Sequence, residues 1–322
     1  MSERVRITDV APRDGLQNEP GSIPTDEKAE LVGRLAVVGV DEVEVSSFVS
    51  PRWVPQLGDA SELFALVADA KPEEVVFSAL VPNEKGMRAA LHVNEHAGRR
   101  VIDKVSVFTA ASETFSERNT NASIAESIER FRPVVASARG EGLAVRGYVS
   151  CAIACPFEGA IEASRVAEVC GRLLELGVDE LDLGDTIGAG TPETVEALLM
   201  EVIDRLGGRA TNDFGQPSLT LHLHDTFGRA AECVTRALEM GIRSFDGSVA
   251  GLGGCPYAAT AGERAPGNIA TSTLVSTIEA SGYETGVDRS RLAAVAAYAS
   301  RIVNAARLDR LDEVGDVEEE DL

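Results

Sequence analysis

The sequence predicts an α/β protein of the (β/α)8 or TIM-barrel class, a closed ring of eight parallel strands with a C-terminal helical extension. Three observations predict it. Short runs rich in β-branched residues alternate with stretches of Ala, Leu, Glu and Arg, a pattern that needs parallel pairing through crossover helices. Eight such units fill about 250 residues, the usual size of the barrel. Several helical stretches stop on a glycine ahead of the next strand, at Gly39, Gly177 and Gly241, where a left-handed residue closes a helix. An open doubly wound sheet is the competing architecture, but no Gly-x-Gly-x-x-Gly turn follows the first strand.

Taken in order, the strands are expected at 5–10, 42–47, 75–81, 104–110, 144–151, 180–184, 219–224 and 244–249. Segment 91–99 is polar and reads as an enlarged loop between the third and fourth strands. Residues 267–308 read as two more helices, of which 289–308 is alanine-rich with apolar positions at helical spacing. The expected division is a catalytic barrel over 1–266, helices packed on it over 267–311, and an acidic disordered tail over 312–322 with too little apolar content to fold.

Of the 322 residues, 44% are hydrophobic and 25% charged, enough for a large buried core. The 52 acids outweigh 30 bases, giving a net charge of -22 that repels nucleic acid and anionic membranes, so neither is an expected partner. No apolar stretch approaches the ~18 residues of a membrane span, and no secretory leader pattern precedes the first strand. The five cysteines are odd in number and not framed as staples. A reducing, cytoplasmic location is expected. The lysines are confined to Lys28, Lys71, Lys85 and Lys104; adaptation to high salt and an ordinary solvated acidic surface both account for this balance.

In such barrels the chemistry sits at the carboxyl ends of the strands. The first strand runs into Pro12-Arg13-Asp14-Gly15, a guanidinium beside a carboxylate; a surface ion pair is the simpler reading. On the seventh, His222 and His224 share one face because strand side chains alternate. A lone strand histidine is usually structural, but two at this spacing supply a pair of imidazole ligands. The eighth ends in a glycine-rich turn that leads to Gly267-Asn268. Closing the ring sets the eighth strand between the seventh and the first, which brings Asp14, His222, His224 and Asn268 within reach of one ion. Two nitrogens and two oxygens with no thiolate suit octahedral Mg2+ or Mn2+. His92 and His96 stand four apart in the polar insertion and are expected to be solvated; Cys151 and Cys155 lack a second pair and are expected to be buried thiols.

Arg13-Asp14-Gly15-Leu16-Gln17, the run from Ser46 to Gln56, Gly184-Asp185-Thr186-Ile187-Gly188, His222-x-His224-Asp225-Thr226 and Gly251-Leu252-Gly253-Gly254-Cys255-Pro256-Tyr257 together resemble the 3-hydroxy-3-methylglutaryl-CoA lyase family of metal-dependent TIM-barrel enzymes. The resemblance covers residues 5 to about 271. The Arg-Asp and His-x-His elements are shared with condensing enzymes such as isopropylmalate synthase, whereas the cysteine-bearing glycine loop is characteristic of the lyases. It implies retro-aldol cleavage of an acyl-CoA substrate to acetyl-CoA and acetoacetate. The implied metal ligands are Asp14, His222, His224 and Asn268. Arg13, Glu44, Asp185 and Cys255 would surround the reacting centre, with Gln17, Ser47, Tyr148 and Thr186 on the substrate side. In that scheme Arg13 stabilises the enolate, Cys255 or His222 protonates its carbon, and the base is Asp14, His222 or a water relayed through Asp185. Cys255 also reads simply as a small buried residue in a tight turn. A homo-oligomer, dimer or higher, is expected. Rival readings are a lyase for a related branched 3-hydroxyacyl-CoA, a condensing sibling, and a non-catalytic CoA-ester binder. Two departures from the family stand out: the span from Cys255 to Asn268 is longer, and Ser272 replaces the usual glutamate.

Overall fold

Side chains alternate across a strand, and the outward set here is apolar: Val43 and Val45, Val105 and Val107, Val145 and Val149, Leu181 and Leu183, Leu219, Leu221 and Leu223 are all buried. A surface of that kind must be covered by helices. The computed structural model, which describes residues 3–207, 215, 218–254 and 267–320 with side chains to 310, covers it with a ring of them. Strands β1 (Arg6–Asp9), β2 (Glu42–Ser47), β3 (Val76–Leu80), β4 (Lys104–Ala110), β5 (Ala144–Ser150), β8 (Glu180–Asp185), β9 (Leu219–Leu223) and β10 (Ser244–Gly247) close in the order β1-β10-β9-β8-β5-β4-β3-β2. Every pairing in the ring is parallel. The barrel expected from the sequence is therefore present, each strand within one or two residues of its expected ends. An antiparallel pair, β6 (Ala154–Cys155) with β7 (Gly159–Ala160), lies beyond β5.

One helix follows each barrel strand: α1 (Thr25–Leu35), α2 (Ala60–Val67), α3 (Glu84–Ala97), α5 (Ile124–Gly140), α6 (Ala163–Leu176), α7 (Pro192–Leu206), α8 (Ala230–Glu239) and α9 (Thr271–Ala280). A short additional helix, α4 (Glu113–Thr120), precedes α5. Because α9 belongs to the eighth unit, a division at 266 passes through that unit. α10 (Arg289–Glu320) follows the eighth unit and, like α4, stands outside the eightfold pattern. Its helical backbone continues into the 312–322 segment set apart as an acidic tail, since extending an existing helix adds one hydrogen bond per residue and needs no apolar content. Further back, Ile302, Val303 and Ala306 bury one face of α10, and Arg307 grips Glu19 through two hydrogen bonds of 2.9 and 3.0 Å. Arg310 donates to Pro20 O beside it.

Segment 91–99 is not a loop. Asn83 caps α3 by accepting from Gly86 N, and the helix buries Gly86, Met87, Ala90 and Val93 at spacings of one, three and three. Its solvent face is polar throughout, which is why the sequence reads as a loop. His92 and His96 lie exposed on that face, rings 4.3 Å apart.

Gly39 closes the turn before β2 at φ +95°, and a Cβ there would fall 2.1 Å from Gly286 O. Gly39→Ala combines left-handed strain with a backbone collision. It is expected to destabilise the protein by at least about 2 kcal/mol, seen as a lowered thermal midpoint; an unchanged midpoint would refute the reading.

The inward positions are ionic. Lys104 Nζ donates to Glu42 at 2.6 Å and Glu180 at 2.7 Å. Arg146, 1% exposed, meets Glu180 at 2.7 Å, Asp246 at 3.2 Å, Glu42 at 3.3 Å and Asp182 at 3.5 Å. Barrels of this class are usually filled by branched aliphatic side chains. Buried ion pairs roughly break even against desolvation, so the apolar shell between strands and helices carries the stability. The thiols of Cys151, Cys155, Cys170 and Cys233 are buried and form no disulfide with one another. Among the described residues no helix is long and apolar enough to cross a membrane.

Candidate active site

After β1 the chain makes a single π-helical turn, Ala11–Gly15, in which the amides of Arg13, Asp14 and Gly15 all reach Val10 O. Pro12 costs that turn nothing, since its missing N–H falls at the helix start. Such widened turns recur at functional sites, and this one aims Arg13 and Asp14 over the barrel mouth. Arg13 Nε donates to Glu44 Oε2 at 2.6 Å and Nη1 to Asp14 Oδ1 at 2.7 Å. Its guanidinium also lies 5.4 Å from the centre of the Tyr148 ring, within cation–π range. Burial works against the charge on Arg13, but Glu44 and Asp14 outweigh it and raise the pKa above the usual value. Glu44 is fully buried on β2, and desolvation pushes its pKa up despite Arg13.

His222 lies inside β9, with Gly184 and Asp246 as its strand partners, and His224 follows just past the strand end. Their Nε2 atoms are 3.2 Å apart. Ligand atoms of Asp14, His222 and His224 all fall within 4.8 Å of one another. An isolated bridge ties His224 to Asn268, whose Nδ2 donates to Asp14 Oδ2 at 2.8 Å and to Leu252 O at 2.9 Å. All four residues proposed as ligands from the sequence thus converge at the mouth. Their electrostatics differ. Burial disfavours the imidazolium of His222, yet its hydrogen bond to Asp246 and the charge of Asp14 overcome this and raise its pKa. For His224, burial and then the neighbouring His222 lower it to about 4. Asp14 falls to about 2, because Arg13, His222 and His224 outweigh its desolvation.

A cavity of about 610 Å³ opens over this cluster, with Gln17, Tyr148 and Thr186 on its wall. Tyr148 stands edge-on to His222, ring centres 6.3 Å apart. Thr186 Oγ1 accepts from Cys151 N at 2.7 Å. Two expected residues are not brought to the cluster. The Ser47 hydroxyl is fully buried and donates at 3.2 Å to the carbonyl of Leu80, while Leu80 and not Ser47 lines the cavity. Asp185 pairs in register with Leu223, whereas Gly184 pairs with His222, so Asp185 leaves the outward face of β8. Its carboxylate accepts from Ala189 N at 3.0 Å and Gly190 N at 2.8 Å, which shapes the turn after the strand, and burial raises its pKa to about 6. Cys255, with the rest of 255–266, lies outside the described residues. Ser272 is exposed on α9; its neighbour Thr271 instead donates to the buried Asp9 at 2.6 Å.

Some residues at the site escaped the sequence reading. Arg118 of α4 and Arg130 of α5 lie on the cavity wall, placed by a helical insertion that no motif marks. Asp246 and Arg146 sit beneath the histidines, and their signal was present: Leu-Thr-Leu-His-Leu on β9 and Ala-Val-Arg-Gly-Tyr on β5 alternate polar with apolar, whereas parallel strands buried on both faces usually read as unbroken apolar runs.

A protein-family profile described as HMGL-like matches residues 4–298. The chain is 44% identical over 308 residues to the hydroxymethylglutaryl-CoA lyase of Pseudomonas mevalonii, covering 96% of this chain and 95% of that one. It is 41% identical to the cytoplasmic 3-hydroxy-3-methylglutaryl-CoA lyase of Rattus norvegicus, covering 94% and 82%. Among solved structures, the HMG-CoA lyase of Brucella melitensis superposes with a TM-score of 0.84 at 44% identity, over 94% of this chain and all of that one. An HMG-CoA lyase from Acinetobacter baumannii in complex with coenzyme A and 3-methylmalate gives 0.82 at 32% identity, over 94% and 92%.

Proposed function

Since the chain belongs to the HMGL-like family, we propose that it is a hydroxymethylglutaryl-CoA lyase, cleaving 3-hydroxy-3-methylglutaryl-CoA to acetyl-CoA and acetoacetate. The observation that carries this reading is the convergence of Asp14, His222 and His224 on one point beside the buried guanidinium of Arg13. Imidazole nitrogens and oxygen donors, with no thiolate among the described ligands, fit Mg2+ or Mn2+. Asp14, His222, His224 and Asn268 would hold the cation, which when bound polarises the substrate's 3-hydroxyl and fixes its geometry.

Arg13 supplies the other charge. As the bond between C2 and C3 breaks, its electron pair passes into the thioester to give an enolate, and a guanidinium held rigidly by Glu44 stabilises that negative charge without reorganising. Tyr148 keeps its proton, because burial and then the charge of Glu44 raise its pKa far above the ordinary phenol value; it serves as wall and donor rather than base. A ring engaged at Nδ1 by Asp246 and at Nε2 by a cation has no lone pair left. That leaves two of the expected bases, Asp14 and a water relayed through Asp185, whose pKa burial raises to about 6. Cys255, next in sequence after Gly254, is proposed to return a proton to C2. Arg118 and Arg130 on the cavity wall offer positive charge to the phosphates of CoA, and the relative solved with coenzyme A supports that use. The proposal includes a cytoplasmic location, supported by buried cysteines that form no disulfide with one another, and a homo-oligomer, supported by Leu66, Met200 and Leu308, each more than half exposed.

Incubating the protein with the methylglutaryl thioester and Mg2+ or Mn2+ is expected to release acetoacetate. Chelation should slow turnover at least about a hundredfold, reversibly, a modest share of the several kcal/mol that a Lewis acid supplies. A folded, metal-supplemented protein that releases none would overturn the assignment.

A further inference from the structure

Asp246 stands directly behind the site. β10 pairs with β9 in the register Asp246↔His222, so both side chains leave adjacent strands at one level and point into the lumen. Asp246 Oδ2 lies 3.2 Å from His222 Nδ1, and Oδ1 accepts from Arg146 Nη1 at 3.2 Å. Arg146 is itself fixed by Glu180 at 2.7 Å and by Thr8 Oγ1 at 3.1 Å. The carboxylate is clamped from both sides and 2% exposed.

An imidazole that donates its Nδ1 proton carries its lone pair on Nε2. In His222 that nitrogen lies 3.2 Å from Nε2 of His224 and within reach of Asp14; with His224 protonated on Nδ1, the two lone pairs meet there and repel unless a positive charge lies between them. We propose that Asp246 is a positioning residue of the cation site: it fixes the Nδ1–H tautomer of His222, aims Nε2 at the point shared with Asp14 and His224, and strengthens that nitrogen as a donor. This rests on the metal-dependent reading above. The alternative grouping of Asp182, His222 and Asp246, whose ligand atoms also lie within 4.8 Å, does not compete for the ion. Arg146 sits 3.2 Å from Asp246 and 3.5 Å from Asp182 and already supplies the positive charge there.

The test is Mn2+ affinity, read from the paramagnetic resonance signal of free Mn2+ with no substrate present. Asp246→Asn turns an N–H toward Nδ1, forces the other tautomer, and is expected to weaken binding about tenfold to a hundredfold; Asp246→Glu should recover part of the loss. His224→Ala, a change in the ligand set itself, should bind more weakly still. A folded Asp246→Asn with wild-type affinity overturns the role of Asp246 while leaving the lyase reading standing. Wild-type protein that does not bind Mn2+ overturns both. Should Asp246→Asn not fold, nitrogen-15 spectra of the Mg2+-loaded wild type decide: a proton on Nδ1 of His222 is expected, and a proton on Nε2 overturns the proposal.

Discussion

Arg13→Met is expected to lower kcat by about a thousandfold or more, roughly 4 kcal/mol of transition-state stabilisation, with a much smaller change in KM. Methionine keeps most of the side-chain volume and removes only the charge. The enolate develops after substrate is bound, so the lost interaction belongs to the transition state and falls on kcat. A neutral donor in such a position contributes about a hundred- to a thousandfold, and a buried cation held at 2.6 Å by Glu44 belongs at the upper end. Glu44 loses its partner in the variant, and because burial raises its pKa it can take up a proton there, which limits the damage to folding. Steady-state kinetics with metal in excess check this; a kcat within tenfold of wild type would remove Arg13 from the chemistry.

Arg146→Met should be the most damaging single change to stability, about 3–5 kcal/mol. It strips the guanidinium from among Glu42, Glu180, Asp182 and Asp246 and leaves Lys104 as the remaining cation against them in the lumen. The sign of the pH dependence follows. Without Arg146 the native carboxylates have pKa values above those of the unfolded chain, so the native state binds more protons and the deficit shrinks as pH falls. Denaturant unfolding of variant and wild type at pH 8 and pH 5.5 should show the larger gap at pH 8. A deficit under about 1 kcal/mol at pH 8 would mean that the ionic column needs no central cation.

Strands and closing glycines were legible because period-two apolar alternation and a helix-ending glycine are local signals. Asp14, His222 and His224 were legible because each lies at or just beyond a strand end, and Asn268 because the glycine-rich turn after the eighth strand leads to it. Asp246 lies one level deeper than the strand ends, although Ser-Phe-Asp-Gly on β10 carries the same alternation as its neighbours. Asp185 shows a different limit of short motifs. Counting parity along Glu-Leu-Asp-Leu-Gly-Asp puts Glu180, Asp182 and Gly184 inward and Asp185 outward, yet the motif around it drew attention to the charged residue. In α3 the buried stripe of Met87, Ala90 and Val93 was outweighed by polar neighbours. Arg118 and Arg130 reach the mouth through the tertiary placement of α4 and α5, which no short-range pattern encodes.

The grip of Arg307 on Glu19, with Ala306 O lying where a Cβ on Gly21 would stand 1.8 Å away, sets an order of assembly. Gln17 and Asn18, two residues of the entrance, are backed by α10, which leaves the ribosome after all eight barrel strands. All eight staves can be in place before that backing arrives, so a nascent or proteolytically nicked chain ending ahead of α10 would hold the ring while leaving its doorway unbraced.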